Sequence, residues 1–227
     1  MTAETPLRSH IGAAFDGCYN AARAAALSGV PKSTVYYWAR KNIFVPTISP
    51  VSPKQWSYAD LMAMRVIYWL RHQKQVDERD IAAASMLQVR KAIAELGKLG
   101  LDIWDSEYRG QSPLRVTDTR RVYVLTPERL EDLTNAGVFE STLDVLGAFH
   151  TEETAVGPDL LRPRPHLRIV PGKVSGEPHV ERSRVTTLAL SALSLRGYSE
   201  VQIAHLYPML PPPSIEEAID LEHELAA

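Results

Sequence analysis

Two breaks set close together in the first quarter of the chain constrain its fold most. The first is Ser28-Gly29-Val30-Pro31; the second is 43–56, IFVPTISPVSPKQW, with three prolines among β-branched residues. Proline lacks the N–H that a helix interior needs and its ring clashes with the preceding turn, so 43–56 cannot be helix. A short two-stranded hairpin or an extended loop is the expected form. Gly29 ends the Ala/Leu-rich helix predicted over 20–29, whereas Pro31 is tolerated in the first turn of the next. Two short helices meeting at a tight turn, followed by a wing-like segment, read as a helix–turn–helix. Ala25 and Gly29 stand where the helices cross, and Val30, Val35 and Trp38 are placed to lock the second against the first. That leaves Lys32, Ser33, Tyr36, Tyr37 and Arg40 pointing outward, a mixture of hydrogen-bonding groups and cations suited to base edges and phosphates in a major groove.

A helix over 57–73 comes next. Ser57 with Asp60 is a variant of the capping box, and Leu61, Met64, Ile67, Tyr68 and Leu70 form an apolar stripe. Residues 77–100 read as a further helix, punctuated by Gly97 and Gly100. The character then changes: LDIW and RRVYVLT, separated by RGQSP, predict two or three short antiparallel strands over 101–126. A helix from Pro127 to about Asn135 and an amphipathic piece to Phe149 follow. Segment 151–165, acidic and then proline-rich, has the composition of a linker. A strand at 167–170 and helices at 185–196, 199–206 and 214–225 complete the chain, with Ser199–Gln202 and Ser214–Glu217 at capping-box spacing. The expected organisation is a flexible tail (1–15), a winged helix–turn–helix domain (16–100), a connecting region of β-hairpin and helix (101–150), a linker (151–165) and a small module (166–227). The expected fold class is mainly α with small β elements: the winged helix–turn–helix, short antiparallel strands in the middle, and a C-terminal three-helix module with a short β element.

The net charge of −2 conceals a gradient. Residues 1–75 hold nine Lys/Arg against three acids, 76–150 nine against thirteen, and 151–227 seven against eleven. A basic first third on an otherwise acidic chain suits contact with a polyanion at that end. No apolar run of about 18 residues occurs, and no basic segment leads into an apolar run at the N-terminus; neither a membrane span nor a secretory signal is expected. The single cysteine, Cys18, cannot form an internal disulfide, so a reducing, cytoplasmic setting and a buried or half-buried thiol are expected. The phosphate-cradling G-x-x-x-x-G-K-[ST], the G-x-S-x-G elbow and H-E-x-x-H are all missing, and the seven histidines lack ligand spacing. No catalytic residue, metal site or cofactor is predicted.

The order helix–turn–helix, wing, helix, helix resembles the MerR-type winged helix, over AARAAALSGVPKSTVYYWARKNIFVP and WSYADLMAMRVIYWLR. The resemblance implies that the first two helices and the wing hold DNA, with Lys54 where a basic wing residue is usual. Tyr36 stands where many members carry arginine, and the long dimerisation helix of that family is not evident.

Residues 167–225 resemble a small bacterial domain that recurs in antitoxins of toxin–antitoxin pairs. Gly176, Pro178, Arg184 and Val185 match its first signature, with Arg182-Ser183 replacing the usual Gly-Thr. Gly197, Ser199, Ile203, Tyr207, Pro208 and Ala218 match its second. On the last helix Glu216, Glu217, Asp220, Glu222 and Glu224, with no Lys or Arg, would repel phosphates. That helix is expected to face a protein partner, another subunit or solvent. Together the two likenesses resemble a VapB-type antitoxin. They imply a protein that binds operator DNA to repress its own operon and neutralises a VapC-type PIN-domain ribonuclease toxin by direct binding. It would act as a homodimer or a higher hetero-oligomer with the toxin. Arg182 and Arg184 are the expected toxin-binding residues; Arg184 is equally suited to pinning its own turn by hydrogen bonds. The alternatives are a MerR-like regulator without a toxin, its C-terminal part serving dimerisation or ligand sensing, and an adaptor whose helix–turn–helix binds no DNA.

Overall fold

The structure is a computed structural model. It describes residues 17–72, 74–76, 79–81, 83–91, 114–117, 122–124, 140–142, 146–150 and 156–226. Asn20 opens the first helix by accepting a hydrogen bond from the Arg23 N–H at 2.9 Å, and α1 runs Ala21–Ser28. Gly29 closes it at φ 71°, in the left-handed region where a side chain is strained. Helix α2 (Lys32–Arg40) follows Pro31 directly. Val35, Trp38 and Ala39 of α2 are buried in one core with Ala24, Ala25 and Leu27 of α1 and Val30 of the turn. The wing carries isolated bridges, Ser49 to Gln55 and Tyr19 to Trp56, so it is a loop pinned at its base rather than a ladder.

Helix α3 (Tyr58–Arg71) starts at the expected capping box, Ser57 with Asp60, and the Asp60 carboxylate also accepts the Thr47 N–H at 2.9 Å. The predicted stripe understates this helix. Every residue from Tyr58 to Tyr68 is buried, because α3 runs through the middle of the first core and is covered on several sides. Arg65 lies fully buried on it, its guanidinium donating to the carbonyls of Ser28 (3.1 Å), Leu27 (2.8 Å), Gly147 (2.7 Å) and Pro158 (2.5 Å). One side chain thus ties the end of α1 to two later segments, satisfying the buried carbonyls of Leu27, Ser28 and Pro158 and the half-buried one of Gly147.

The helix expected over 77–100 begins later. Lys74–Val76 (β1) pairs antiparallel with Arg79–Ile81 (β2), and helix is present over 86–91. Ser85 and Gln88 cap one another there, a second capping box that fixes the start nearer 86 than 77. Leu114–Thr117 (β3) is the centre of a three-stranded antiparallel sheet. It lies between Val122–Val124 (β4), inside the predicted RRVYVLT strand, and Glu140–Thr142 (β5). Strand β5 replaces part of the amphipathic piece expected before Phe149; long-range pairing with β3 overrides local periodicity. Phe149–His150 (β6) pairs with Val156–Gly157 (β7). The LDIW strand, the helix at 127–135 and the tail at 1–15 lie outside the described residues.

Within the segment expected to be a linker, Gly157, Pro158, Leu160 and Pro163 are buried, whereas Arg162 and Pro165 are exposed. Leu160 is fully buried, and its carbonyl accepts from the Tyr58 hydroxyl at 2.6 Å while its N–H donates to Leu146 at 2.7 Å. Composition suggested a solvated tether, but this extended stretch covers α3. Leu167–Arg168 (β8) then pairs with His179–Val180 (β9). Helices α4 (Thr187–Leu195), α5 (Glu200–Leu206) and α6 (Pro212–Ala226) close a second core around Leu167, Val180, Leu190, Ile203, Ile215 and Ala218. The Ser199–Gln202 capping box is present. The Ser214–Glu217 box is not: α6 starts at Pro212, the Ser214 hydroxyl donates to the Pro211 carbonyl at 2.6 Å, and Glu217 accepts from the His166 N–H at 2.9 Å. The chain is mainly α with small β elements, as predicted. Among the described residues no helix is long and apolar enough to cross a membrane.

Candidate nucleic-acid interface

The inward and outward residues of α2 divide as the turn spacing predicts. Val35 and Trp38 are buried, whereas Lys32, Ser33, Tyr36, Tyr37 and Arg40 are exposed, the tyrosines by 51% and 47%. Between α2 and the wing lies a cleft of about 880 Å³ lined by Ser33, Tyr36, Tyr37, Arg40, Ser52, Pro53 and Lys54, among others, and by no acidic residue. Five of the six predicted DNA-binding residues therefore surround one concave surface; Lys32 stands outside it in the first turn of α2. Guanidinium and ammonium groups beside phenol hydroxyls can donate to phosphate oxygens and to base acceptors.

Lys54, in the wing, has a protein partner as well. Its ammonium donates to the Ala39 carbonyl at 2.8 Å, in the last turn of α2. A cation there meets the negative end of the helix dipole and holds the wing against α2. Lys54 lines the cleft and also fixes its width.

Arg182 and Arg184 are both exposed, on the turn after β9. Arg182 sits at φ 60°, left-handed backbone that favours the glycine of the signature it replaces. Arg184 does not pin the turn. Ser183 does, its N–H and hydroxyl each donating to the Val180 carbonyl at 3.0 Å and its oxygen accepting the Val185 N–H at 3.1 Å. The serine is already bonded within its own turn, leaving both guanidinium groups at the surface. Cys18, expected to be at least half-buried, is exposed; its backbone N–H donates to the Ser175 carbonyl at 3.0 Å.

Sequence reasoning missed Arg23. On α1 it reaches across to the C-terminal module: Nη1 and Nη2 each donate to Glu222 at 2.8 Å, and Nε donates to Glu177 at 2.8 Å. Glu222 also accepts from the Thr187 hydroxyl. Burial opposes the Arg23 charge, but the hydrogen bonds and charges of Glu222 and Glu177 outweigh it and raise the guanidinium pKa. Burial raises the Glu177 pKa despite the attraction of Arg23. Nearby, the Tyr19 hydroxyl donates to the Gly176 carbonyl at 2.7 Å, and burial raises its pKa so that it remains a donor. The signal was present: Glu222 lies among Ala218, Ile219 and Leu221 on the buried side of α6, where a carboxylate needs a partner. Of the five carboxylates expected to face outward, Glu222 pairs with Arg23, Glu217 with His166 and Glu224 with Arg164. Glu216 and Asp220 are exposed.

No protein-family model matches this sequence, and no curated protein matches it. Among solved structures, the crystal structure of Rv2018 from Mycobacterium tuberculosis is similar over 94% of this chain and 100% of that one, with a TM-score of 0.44 and 16% identity.

Proposed function

We propose that this chain is a DNA-binding antitoxin of VapB type, which represses its own operon through operator DNA and neutralises a PIN-domain ribonuclease by direct binding. The observation that carries the DNA half is the outward face of α2. Its tyrosines, serine and Arg40 line one cleft with Lys54, at the basic end of the chain. Support for the toxin half comes from the sequence resemblance of residues 167–225 and from the exposed Arg182 and Arg184, available to a carboxylate cluster. The DNA half is tested by titrating labelled DNA from the chain's own upstream region across a salt series. Lys32→Ala and Arg40→Ala should each weaken binding and flatten the salt dependence by about one unit of slope. Unchanged affinity and slope would remove α2 from the interface. The toxin half is tested by co-expressing a neighbouring PIN-domain product. Arg182→Glu/Arg184→Glu should release it and restore ribonuclease activity; retained inhibition refutes that role.

One observation favours a second reading, a MerR-like regulator without a toxin. Through Arg23, Glu177 and Glu222 the C-terminal module has a direct hold on α1, the route that a ligand-sensing module would use.

A further inference from the structure

We infer that the corner formed by the end of α4, the following turn and α5 is a two-fold contact with a second copy of this chain. These helices expose unusual amounts of apolar surface. Helix α4, TLALSALSL, has no charged residue and buries only Thr187, Leu190 and Ser191. Helix α5 buries only Ile203. Within residues 195–209, Leu195 is 77% exposed, Val201 66%, Leu206 55% and Met209 80%, with Tyr198 at 43%. Single exposed aliphatics are ordinary on any surface, but a concentration of this kind marks an interface.

The charges at this corner indicate what covers it. Arg196 and Glu200 flank Tyr198, both are exposed, and among the described residues neither makes an ion pair. In a two-fold contact residue i of one copy meets j of the other, and j meets i. A second copy turned about an axis near Tyr198 sets Arg196 of each against Glu200 of the other, and lays Leu195 and Val201 on their counterparts. An acidic or a basic partner would answer only one of the two charges. Arg182 and Arg184 precede α4, whose nine residues separate them from Leu195 by roughly 13 Å of rise. The inference goes beyond the proposed function and does not depend on DNA or toxin being bound.

The test is sedimentation velocity of the full chain, without DNA, across the micromolar range. The expected result is a reversible dimer. Arg196→Glu and Glu200→Arg should each weaken it at least about tenfold by setting like charges together twice, and the combined swap should restore it. Leu195→Glu should dissociate it, and its thermal melt should match that of the wild-type chain diluted until it is monomeric, because Leu195 contributes little to the folded monomer. A chain that stays monomeric overturns the inference, as does a dimer indifferent to all these variants or a double swap no better than the singles. A monomer that loses toxin co-purification on Leu195→Glu would assign the corner to the toxin and likewise overturn it.

Discussion

Replacing Arg23 with alanine tests how the two ends of the chain are held together. The guanidinium makes two parallel 2.8 Å bonds to Glu222 and approaches Glu177 to 2.7 Å, with side-chain exposures of 11% for Arg23, 7% for Glu222 and 17% for Glu177. Taking one partner from a buried pair costs about 3–5 kcal/mol, because the remaining charge stays buried without compensation. After the change Glu222 keeps the Thr187 hydroxyl, which cannot neutralise a carboxylate. In a chain of this size about 2–4 °C of melting temperature goes with each kcal/mol. Arg23→Ala should therefore lower the melting temperature by roughly 6–20 °C. Salt should change this little, since buried pairs are weakly screened. The assay is calorimetry on Arg23→Ala, Glu222→Ala and the double variant. The double variant should be no worse than Arg23→Ala alone, and Arg23→Met/Glu222→Leu should recover most of the loss by packing. A cost below about 1 kcal/mol for Arg23→Ala, the size expected of an exposed pair, would refute the claim that this bridge joins α1 to α6.

Three further outcomes are expected. Arg65→Met leaves the carbonyls of Leu27, Ser28, Gly147 and Pro158 without this donor; at about 1–3 kcal/mol for each buried group, the protein should fail to fold, and a soluble variant with a native melt would contradict the assignment. Gly176→Ala should destabilise more than Gly197→Ala by thermal melt, since both glycines have positive φ but only at Gly176 would the new Cβ meet Tyr19, 2.1 Å from its hydroxyl oxygen. Burial holds His179 below its usual 6.5, partly opposed by a hydrogen bond to the Glu177 carbonyl and reinforced by the charges of Lys173, Arg168 and Arg184. The unfolded chain then takes up this proton at a higher pH than the folded chain does. Stability from neutral His179 is complete above about pH 6.5 and is lost as pH falls through the depressed folded value. The melt should drop as the pH falls from about 7.5 through about 6.5, less steeply in His179→Gln; equal slopes would show that another group controls it.

Local signals carried the α2 side of the cleft. Gly29 and Pro31 set the turn, the helical period assigned Val35 and Trp38 to the inside, and the same period left Lys32, Ser33, Tyr36, Tyr37 and Arg40 outside. Capping residues served as well: Ser57 with Asp60 and Ser199 with Gln202 start helices where their spacing says. These features depend on neighbours within one or two turns, so a sequence alone can display them.

Tertiary structure decided whatever depends on distant partners. Strand β5 exists because β3 offers it a pairing edge, and Pro158 and Leu160 are buried where their carbonyls accept from Arg65 and Tyr58. Lys54 became a brace when Ala39 came within reach, and Glu222 left the acidic outer face for Arg23 across 199 positions of sequence. Helix starts and faces follow from short-range sterics and hydrogen bonding, which composition and spacing express. Which carboxylate, carbonyl or cation ends up buried follows from how separate segments pack, and the desolvation of those groups, absent in the extended chain, then selects their partners.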